Sequence, residues 1–191
     1  MAQKLLKDDA EASTAEGESG MPVRKRLDHR GPFSIDVSSA WYFITICAAG
    51  HLTWACRAIS TVGGDHRAPR SFDEIATLLL DEARFMHNAR KWFLSLMLVM
   101  PDHLHLIVHG PPGGRPLPLV IGDFKRYLTS NYGVLFQKDF WDTRLRDDAH
   151  YAEKFLYICN NPVRKGLCEV ARDWQHVIAF NRETGNELVH K

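Results

Sequence analysis

The sequence has no long apolar segment, no closely paired cysteines and almost no net charge. No stretch approaches the roughly 18 consecutive apolar residues that a membrane-spanning helix requires, so we expect no membrane span. The four cysteines include no Cys-x-x-Cys pair and their spacing does not match a zinc ribbon, and no secretory apolar core precedes the first predicted strand. These absences favour a cytoplasmic protein with free thiols.

The charge balance argues against binding to nucleic acid through overall positive charge. Twenty-four basic residues oppose 23 acidic ones and leave a net charge of +1, so there is no global field that attracts nucleic acid. Any such binding must use local basic clusters. Because 45% of the residues are apolar, the chain can bury one sizeable core. We predict a disordered tail over residues 1–35, where apolar content is low, and a single domain over 36–191.

The hydrophobic pattern predicts alternating strands and helices after the tail. The predicted strands are 40–47, 92–100, 104–108 and 138–146. The predicted helices are 72–89, 119–132 and a third that starts at Asp147 or Asp148 and runs to Asn160, with Ser71 as the N-cap of the first. The order βαββαβ plus a helix predicts an α+β fold, a ferredoxin-like antiparallel sheet with helices on one face and an extra C-terminal helix.

Two histidines stand out at the start of the strand that follows Pro101. His103 and His105 are separated by one aliphatic residue, and alternate residues of a strand point to the same face about 6.5–7 Å apart. Both imidazoles can therefore converge on one ion or one phosphate. His109 continues the alternation, but its position predicts that it lies at the strand end.

The third predicted helix carries a second pair of polar side chains near its end. Tyr157 and Asn161 are four residues apart, which places them one turn apart on the same helical face. If this helix packs beside the histidine strand, then His103, His105 and Asn161 can bind a hard divalent cation such as Mg²⁺ or Mn²⁺. Tyr157 would then lie within reach of a phosphorus atom bound to that ion.

Together these segments resemble the REP-associated tyrosine transposases, which lie within the HUH superfamily of single-strand endonucleases. The likeness spans about residues 40–175 and rests on four strings in the expected order. These are Tyr42-Phe-Ile-Thr-Ile46, Val99-Met-Pro-Asp-His-Leu-His-Leu-Ile-Val108, Phe140-Trp-Asp-Thr-Arg-Leu-Arg146 and Tyr157-Ile-Cys-Asn-Asn-Pro-Val-Arg-Lys-Gly-Leu167, with Asp173-Trp174 shortly after.

The resemblance implies a role for each of these residues. His103 and His105 would be the metal ligands, Asn161 a further ligand from the helix of the nucleophile, and Tyr157 the nucleophile itself. With Mg²⁺ or Mn²⁺ as cofactor, Tyr157 would attack single-stranded, hairpin-forming repeat DNA to give a 5′-phosphotyrosine link and a free 3′-hydroxyl. Strand transfer would reverse this step at another 3′-hydroxyl. The protein would be cytoplasmic, would associate with the nucleoid when bound to DNA, and would be a monomer or a homodimer.

The sequence departs from the family at two positions. The family usually has Asn before the first histidine and often has His in the Phe-x-Asp-His segment, whereas this chain has Asp102 and Thr143. Neither change removes an implied ligand. Asp102 adds negative charge beside the histidines, which would either strengthen metal binding or repel phosphate.

Several basic side chains flank the candidate site along the sequence and are expected to contact DNA phosphates in a salt-dependent way. They are Lys125, Arg126, Arg144, Arg146, Arg164 and Lys165. Two tryptophans near these segments, Trp141 and Trp174, are expected to serve as packing residues and not as surfaces on which bases stack. Tyr151 is the alternative nucleophile, should Tyr157 be a core residue.

Two other functions remain open from the sequence. A DNA-hairpin-binding protein that has lost turnover would keep the same fold and the same basic residues. A histidine-triad nucleotide hydrolase would share the His-x-His string, but its third histidine position is Ile107 here.

Overall fold

A computed structural model describes residues 40–51, 53–54, 71–110 and 115–188 of the chain. The predicted disordered tail at 1–35 lies outside these residues. Within the described ranges, no helix is both long enough and apolar enough to cross a membrane.

The centre of the fold is a five-stranded antiparallel sheet in the order β4-β1-β3-β2-β5. Its first four strands have the predicted order along the chain and form the predicted ferredoxin-like sheet. The fifth strand was not predicted, because three residues are too few to show an alternating pattern. The strands are β1 (Tyr42–Cys47), β2 (Phe93–Val99), β3 (His103–His109), β4 (Trp141–Arg144) and β5 (Val177–Ala179).

Four α-helices accompany the sheet in the described residues: α1 (Phe72–Asn88), α2 (Leu117–Tyr132), α3 (Asp148–Cys159) and α4 (Asn161–Arg164). The first begins at the predicted cap. The Ser71 hydroxyl accepts a hydrogen bond from the Glu74 backbone, and the Glu74 carboxylate accepts one from the Ser71 backbone. This reciprocal capping box satisfies two backbone donors that a helix start leaves unpaired. Asp147 caps α3 in a similar way through the His150 backbone N–H.

The helices divide between the two faces of the sheet. Helices α1 and α2 pack on one face against Ile44, Leu104 and Leu106, as the prediction of helices on one face requires. Helix α3 packs on the opposite face, where its Ile158 joins Leu98 and neighbouring apolar residues in a second cluster. Successive residues of a strand point to opposite faces of the sheet. Helix α3, which carries the candidate nucleophile, therefore faces the strand side chains that point away from the core under α1 and α2.

The turn between β2 and β3 is fixed from both sides. Met100 N–H donates to His103 O at 2.7 Å inside the turn, and Ala48 N–H donates to Asp102 O at 2.9 Å from the end of β1. The Trp54 indole N–H donates to Met100 O at 2.7 Å. Because neighbouring segments hold the backbone of this turn, it can present the first histidine of β3 in a defined orientation.

Candidate active site

Two of the three histidines of β3 meet at their Nε2 atoms. His103 and His105 both point to the α3 face, and their Nε2 atoms are 3.1 Å apart. If each of these nitrogens bound the same ion at about 2.1 Å, their separation of 3.1 Å would give a nitrogen–ion–nitrogen angle of about 95°. That angle suits two neighbouring positions of an octahedral ion. The pair therefore has the spacing of a two-histidine chelate.

Each imidazole has an outer partner at Nδ1. The Asp102 carboxylate lies 2.6 Å from Nδ1 of His103, and the Thr45 hydroxyl lies 2.9 Å from Nδ1 of His105. Such partners orient metal-binding histidines and leave Nε2 toward the ion. Asp102 was singled out in the sequence only for its negative charge, and Thr45 was not identified as a partner of His105. Thr45 lies opposite His105 through the β1–β3 register, which no local pattern reveals.

Burial keeps His105 neutral. Desolvation, with a smaller contribution from the neighbouring His103, lowers the pKa of His105 from its ordinary value of 6.5 to about 3. A neutral imidazole has a lone pair available for a cation, whereas a protonated one repels it. The environment of His105 therefore favours the form that a metal ligand needs at neutral pH.

Tyr157 lies against this pair on α3. Its ring centroid is 5.7 Å from that of His105 and 6.0 Å from that of Phe43, which stands on the same face of β1. The side chain remains 38% exposed, so a polymer in solvent can reach it. The phenol thus combines closeness to the histidine pair with access from outside.

Cationic groups surround the phenol ring. The Arg164 guanidinium carbon lies 5.0 Å from the Tyr157 ring centroid, and the Lys154 ammonium lies 5.9 Å from it. Positive charge at this position attracts the negative charge of a bound phosphate. Arg164 was predicted as a phosphate contact, whereas Lys154 was not singled out in the sequence.

Asn161 lies just beyond the helix that carries Tyr157. Helix α3 ends at Cys159, and Asn161 begins the separate short helix α4, so it does not share a continuous helical face with Tyr157. The break comes before Pro162, whose ring suits the first turn of a new helix. The Asn161 side chain is buried, with 5% exposure. Its role as a ligand stays a prediction.

The donor set is small in the part of the chain described here. Among those residues, no group of three or more His, Cys, Asp and Glu side chains gathers in the manner of a closed metal site. The two imidazoles would therefore leave several coordination positions for oxygen donors, such as an amide, water or phosphate. An ion that keeps open coordination positions fits this donor set better than a closed structural zinc site, which takes four protein ligands.

Two of the predicted phosphate contacts have other partners. The Lys125 ammonium donates to the backbone carbonyls of Gln137 and, at 2.8 Å, Lys138, and burial lowers its pKa. Arg126 pairs with Asp123 on α2, which belongs to the opposite face. Lys125 therefore secures the segment before β4, because its ammonium is committed to carbonyl oxygens, and contact of these two side chains with DNA phosphates stays a prediction.

The other predicted basic residues differ in their distance from the phenol. Arg164 contacts the ring of Tyr157, and Lys165 is exposed at the end of α4. Arg144 and Arg146 line a cavity of about 220 Å³ near the start of α3. That cavity is also lined by Tyr151, six residues or about 9 Å along the helix from Tyr157.

Tyr151 is a structural residue in this arrangement. Its hydroxyl forms a hydrogen bond with the Ser95 hydroxyl of β2, and the Arg182 guanidinium lies 4.0 Å from its ring centroid. Burial raises the pKa of this phenol, which disfavours the nucleophilic form. His109 lies at the far end of β3, as predicted, stacked on Phe93 at 4.8 Å.

The two tryptophans differ. Trp174 packs in the α3-face cluster and its indole N–H donates to Val99 O at 3.0 Å, as the packing prediction requires. The same prediction is wrong for Trp141, which lies on the edge strand β4 and is 42% exposed. Trp141 lies directly opposite Thr45, so its side chain shares the face of the histidine site.

Comparison with known proteins supports the likeness seen in the sequence. No family model matches the chain. A Haemophilus influenzae protein, provisionally named a REP-associated tyrosine transposase, is 29% identical over 106 residues, covering 47% of this chain and 60% of the relative. An Escherichia coli REP-associated tyrosine transposase is 28% identical over 101 residues, covering 52% of this chain and 61% of the relative. The chain thus spans about 60% of the length of each relative.

A solved structure has the same fold. It is described as a REP-associated tyrosine transposase bound to a REP hairpin, and it matches with a TM-score of 0.56 and 19% sequence identity, over 74% of this chain and 77% of the other. The predicted α+β class is confirmed by this match. The resemblance to REP-associated tyrosine transposases is confirmed by the two sequence relatives, which are named as enzymes of that kind.

Proposed function

We propose that this protein is a metal-dependent transposase that cuts and rejoins single-stranded, hairpin-forming DNA through Tyr157. One observation carries the proposal: the Nε2 atoms of His103 and His105 lie 3.1 Å apart, and the exposed ring of Tyr157 lies 5.7 Å from that of His105. A chelating pair beside an accessible phenol is the arrangement that phosphodiester transfer to tyrosine needs.

The substrate class follows from chemistry and from the relatives. A phenol attacks phosphorus to form a phosphotyrosine, so the proposed substrate is a phosphodiester chain. The matched structure is described as bound to a REP hairpin, and the sequence relatives bear the name of that repeat. We therefore propose hairpin-forming repeat DNA in the cytoplasm as the substrate of this chain.

His103 and His105, with Asn161 as a proposed third ligand, would hold the Mg²⁺ or Mn²⁺ ion. When bound, this ion supplies positive charge that polarises a phosphate oxygen. The protein residues then have separate tasks. Arg164 places a guanidinium beside the phenol, and Phe43 packs against the ring of Tyr157 and limits its movement. The ring of Tyr157 is thereby held beside the histidine pair, where we propose that phosphate binds.

The covalent step balances without a nucleotide cofactor. The Tyr157 oxygen forms a bond to phosphorus as the bond from phosphorus to the 3′-oxygen breaks. The phenol proton is lost and the departing 3′-oxygen gains one, which gives a 5′-phosphotyrosine and a free 3′-hydroxyl. Because one phosphoester replaces another, a second 3′-hydroxyl can reverse the step and complete strand transfer.

The test is covalent capture on single-stranded DNA. The full chain is incubated with radiolabelled circular phage single strands and with hairpin oligonucleotides, in Mg²⁺, Mn²⁺ or a chelator, and then digested with nuclease. We expect a labelled protein band that resists denaturant, requires the divalent ion and disappears in Tyr157→Phe. Tyr151→Phe is the matched control, because it removes a phenol of the same helix that bonds to Ser95, and it should keep the band.

Two outcomes would contradict the proposal. Tight hairpin binding with no adduct in any ion would favour a binding protein without turnover. A band that survives in Tyr157→Phe but not in Tyr151→Phe would move the nucleophile. The histidine-triad hydrolase is disfavoured, because Ile107 at its third position is fully buried in the α3-face cluster.

A further inference from the structure

The two histidines of the site have chemically unlike partners at Nδ1. His103 faces the Asp102 carboxylate at 2.6 Å, whereas His105 faces the Thr45 hydroxyl at 2.9 Å. An ionised carboxylate can only accept a hydrogen bond, whereas a hydroxyl can donate or accept. The two imidazoles therefore have different freedom to exchange their proton between the ring nitrogens.

This difference fixes the hydrogen bonds of the metal-free pair. Asp102 requires His103 to carry its proton on Nδ1, which leaves a lone pair on Nε2. His105 Nε2, 3.1 Å away, can then donate to that lone pair while its Nδ1 accepts from the Thr45 hydroxyl. No buried side-chain nitrogen or oxygen among the described residues lacks a partner, in agreement with this network.

Binding an ion places different demands on the two rings. Both Nε2 atoms must then present lone pairs, so His105 has to move its proton to Nδ1 and the Thr45 hydroxyl has to rotate to accept it. His103 needs no change, because it already has the binding tautomer. The carboxylate also increases the electron density of the ring it accepts from, which strengthens that ring as a ligand.

The position of Asp102 is set by the backbone and not by the metal. Its carbonyl oxygen accepts from Ala48 N–H at 2.9 Å, and the preceding carbonyl, that of Pro101, accepts from Trp54 N–H at 2.9 Å. The side chain of Asp102 is 53% exposed, whereas that of His103 is 14% exposed. The carboxylate is therefore anchored through its main chain, and an amide or a methyl group can replace it without opening the core.

We infer that Asp102 is a positioning residue that locks His103 in the metal-binding tautomer and makes it the fixed ligand, while Thr45 lets His105 switch. The inference rests on the proposed metal site. It assigns a task to the position where the resembled family usually has Asn. Asp102 acts through His103 and needs no contact with the ion or the DNA.

The first test measures metal binding to the DNA-free full chain, with Mn²⁺ alone as the probe and free Mn²⁺ followed by electron paramagnetic resonance. We expect Asp102→Ala to weaken Mn²⁺ binding about 10- to 100-fold, within the range known for outer partners of metal-bound histidines. Asp102→Asn should lose less, because an amide oxygen still accepts the Nδ1 proton without the charge. Asp81→Asn replaces another exposed carboxylate, on α1, whose side chain is 61% exposed, and this variant should bind Mn²⁺ as the wild type does.

The second test reads the tautomers directly, by nitrogen-15 NMR of the histidine rings with and without the diamagnetic ion Mg²⁺. In the wild type, His103 should show the Nδ1–H form in both states, and His105 should change from Nε2–H to Nδ1–H as Mg²⁺ binds. Asp102→Ala should release His103 into a mixture of the two forms in the metal-free state, with an unchanged unfolding transition.

The outcomes separate the inference from the proposed site. If His103→Ala weakens Mn²⁺ binding but Asp102→Ala does not, and His103 keeps its tautomer without the carboxylate, the inference fails and the metal site stands. If the wild type binds no Mn²⁺ and His103→Ala changes nothing, the metal site fails and the inference falls with it.

Discussion

The two faces of strand β3 have opposite characters. On the face toward α1 and α2, the side chains of Leu104, Leu106 and Val108 are fully buried in the larger apolar cluster. On the face toward α3, His103 and His105 meet near an exposed tyrosine. A single strand thus supplies stability through one set of alternating residues and the candidate chemistry through the other. The comparison shows how a reactive site can be mounted on rigid backbone without interrupting the main core.

The largest expected effect comes from the apolar face. Leu106→Ala removes a fully buried side chain and should lower the free energy of unfolding by about 2–5 kcal/mol, because it forfeits burial and leaves a cavity. Chemical denaturation followed by tryptophan fluorescence measures this change. Tyr157→Phe on the other face is the control and should stay within about 0.5 kcal/mol of the wild type. An equal loss in both variants would erase the distinction between the faces.

A second prediction concerns the effect of pH on the site face, that is, the face of the sheet toward α3 on which His103 and His105 lie. His105 has a pKa of about 3 in the folded, metal-free protein and about 6.5 when unfolded, so the unfolded chain binds the extra proton between these values. His105 therefore costs no stability above pH 6.5, and the free energy of unfolding should fall as the pH decreases from 6.5 toward 3. Titration of His105 can change the free energy of unfolding by at most about 1.4 kcal/mol per pH unit.

The measurement is urea denaturation of the metal-free chain at several pH values, compared with His105→Gln. The variant should lose this part of the acid sensitivity, because glutamine does not titrate. If the wild type and His105→Gln show parallel pH profiles, burial of the imidazole is not the cause, and the pH-sensitive group lies elsewhere.

The smallest expected effect lies at the edge of the site face. Trp141 is exposed beside Thr45, so a base of bound single-stranded DNA can stack on its indole. Trp141→Ala should weaken binding of a single-stranded oligonucleotide by about 1–3 kcal/mol, and Trp141→Phe should retain most of it. Fluorescence anisotropy of a labelled oligonucleotide measures the change.

Phe85→Ala is the matched control for Trp141→Ala. Phe85 is a large exposed aromatic residue on α1, on the other side of the sheet, and its removal should leave DNA affinity unchanged. Equal losses in both variants would show that exposed aromatics in general contribute to binding, and that the site face has no special part in it.

Local patterns predicted most of the elements. The alternation of Leu and His in β3 gave the correct division of its side chains between faces, because successive residues of any strand point in opposite directions. The Ser71 cap and the acidic cap of α3 were also readable, since capping depends on residues within one turn. Strand β5 was not readable, because its three residues owe their conformation to pairing with β2.

Features that depend on long-range pairing were predicted less well. Thr45 was missed as the partner of His105 because the two residues are 60 positions apart and meet through strand register. Trp141 was assigned to packing because composition does not show that β4 is an edge strand. Asn161 was placed on the helix of Tyr157, but the chain starts a new helix before Pro162.

The sequence by itself determined the strand and helix periods, the paired histidines, and a tyrosine close to a helix end. These features arise from the fixed geometry of the backbone over a few residues. Only the tertiary structure decided that α3 packs on the histidine face, and that Asp102 and Thr45 give the two imidazoles unlike partners. The reason is physical: convergence of distant side chains depends on which faces pack together, and the local period of a segment does not specify its partner.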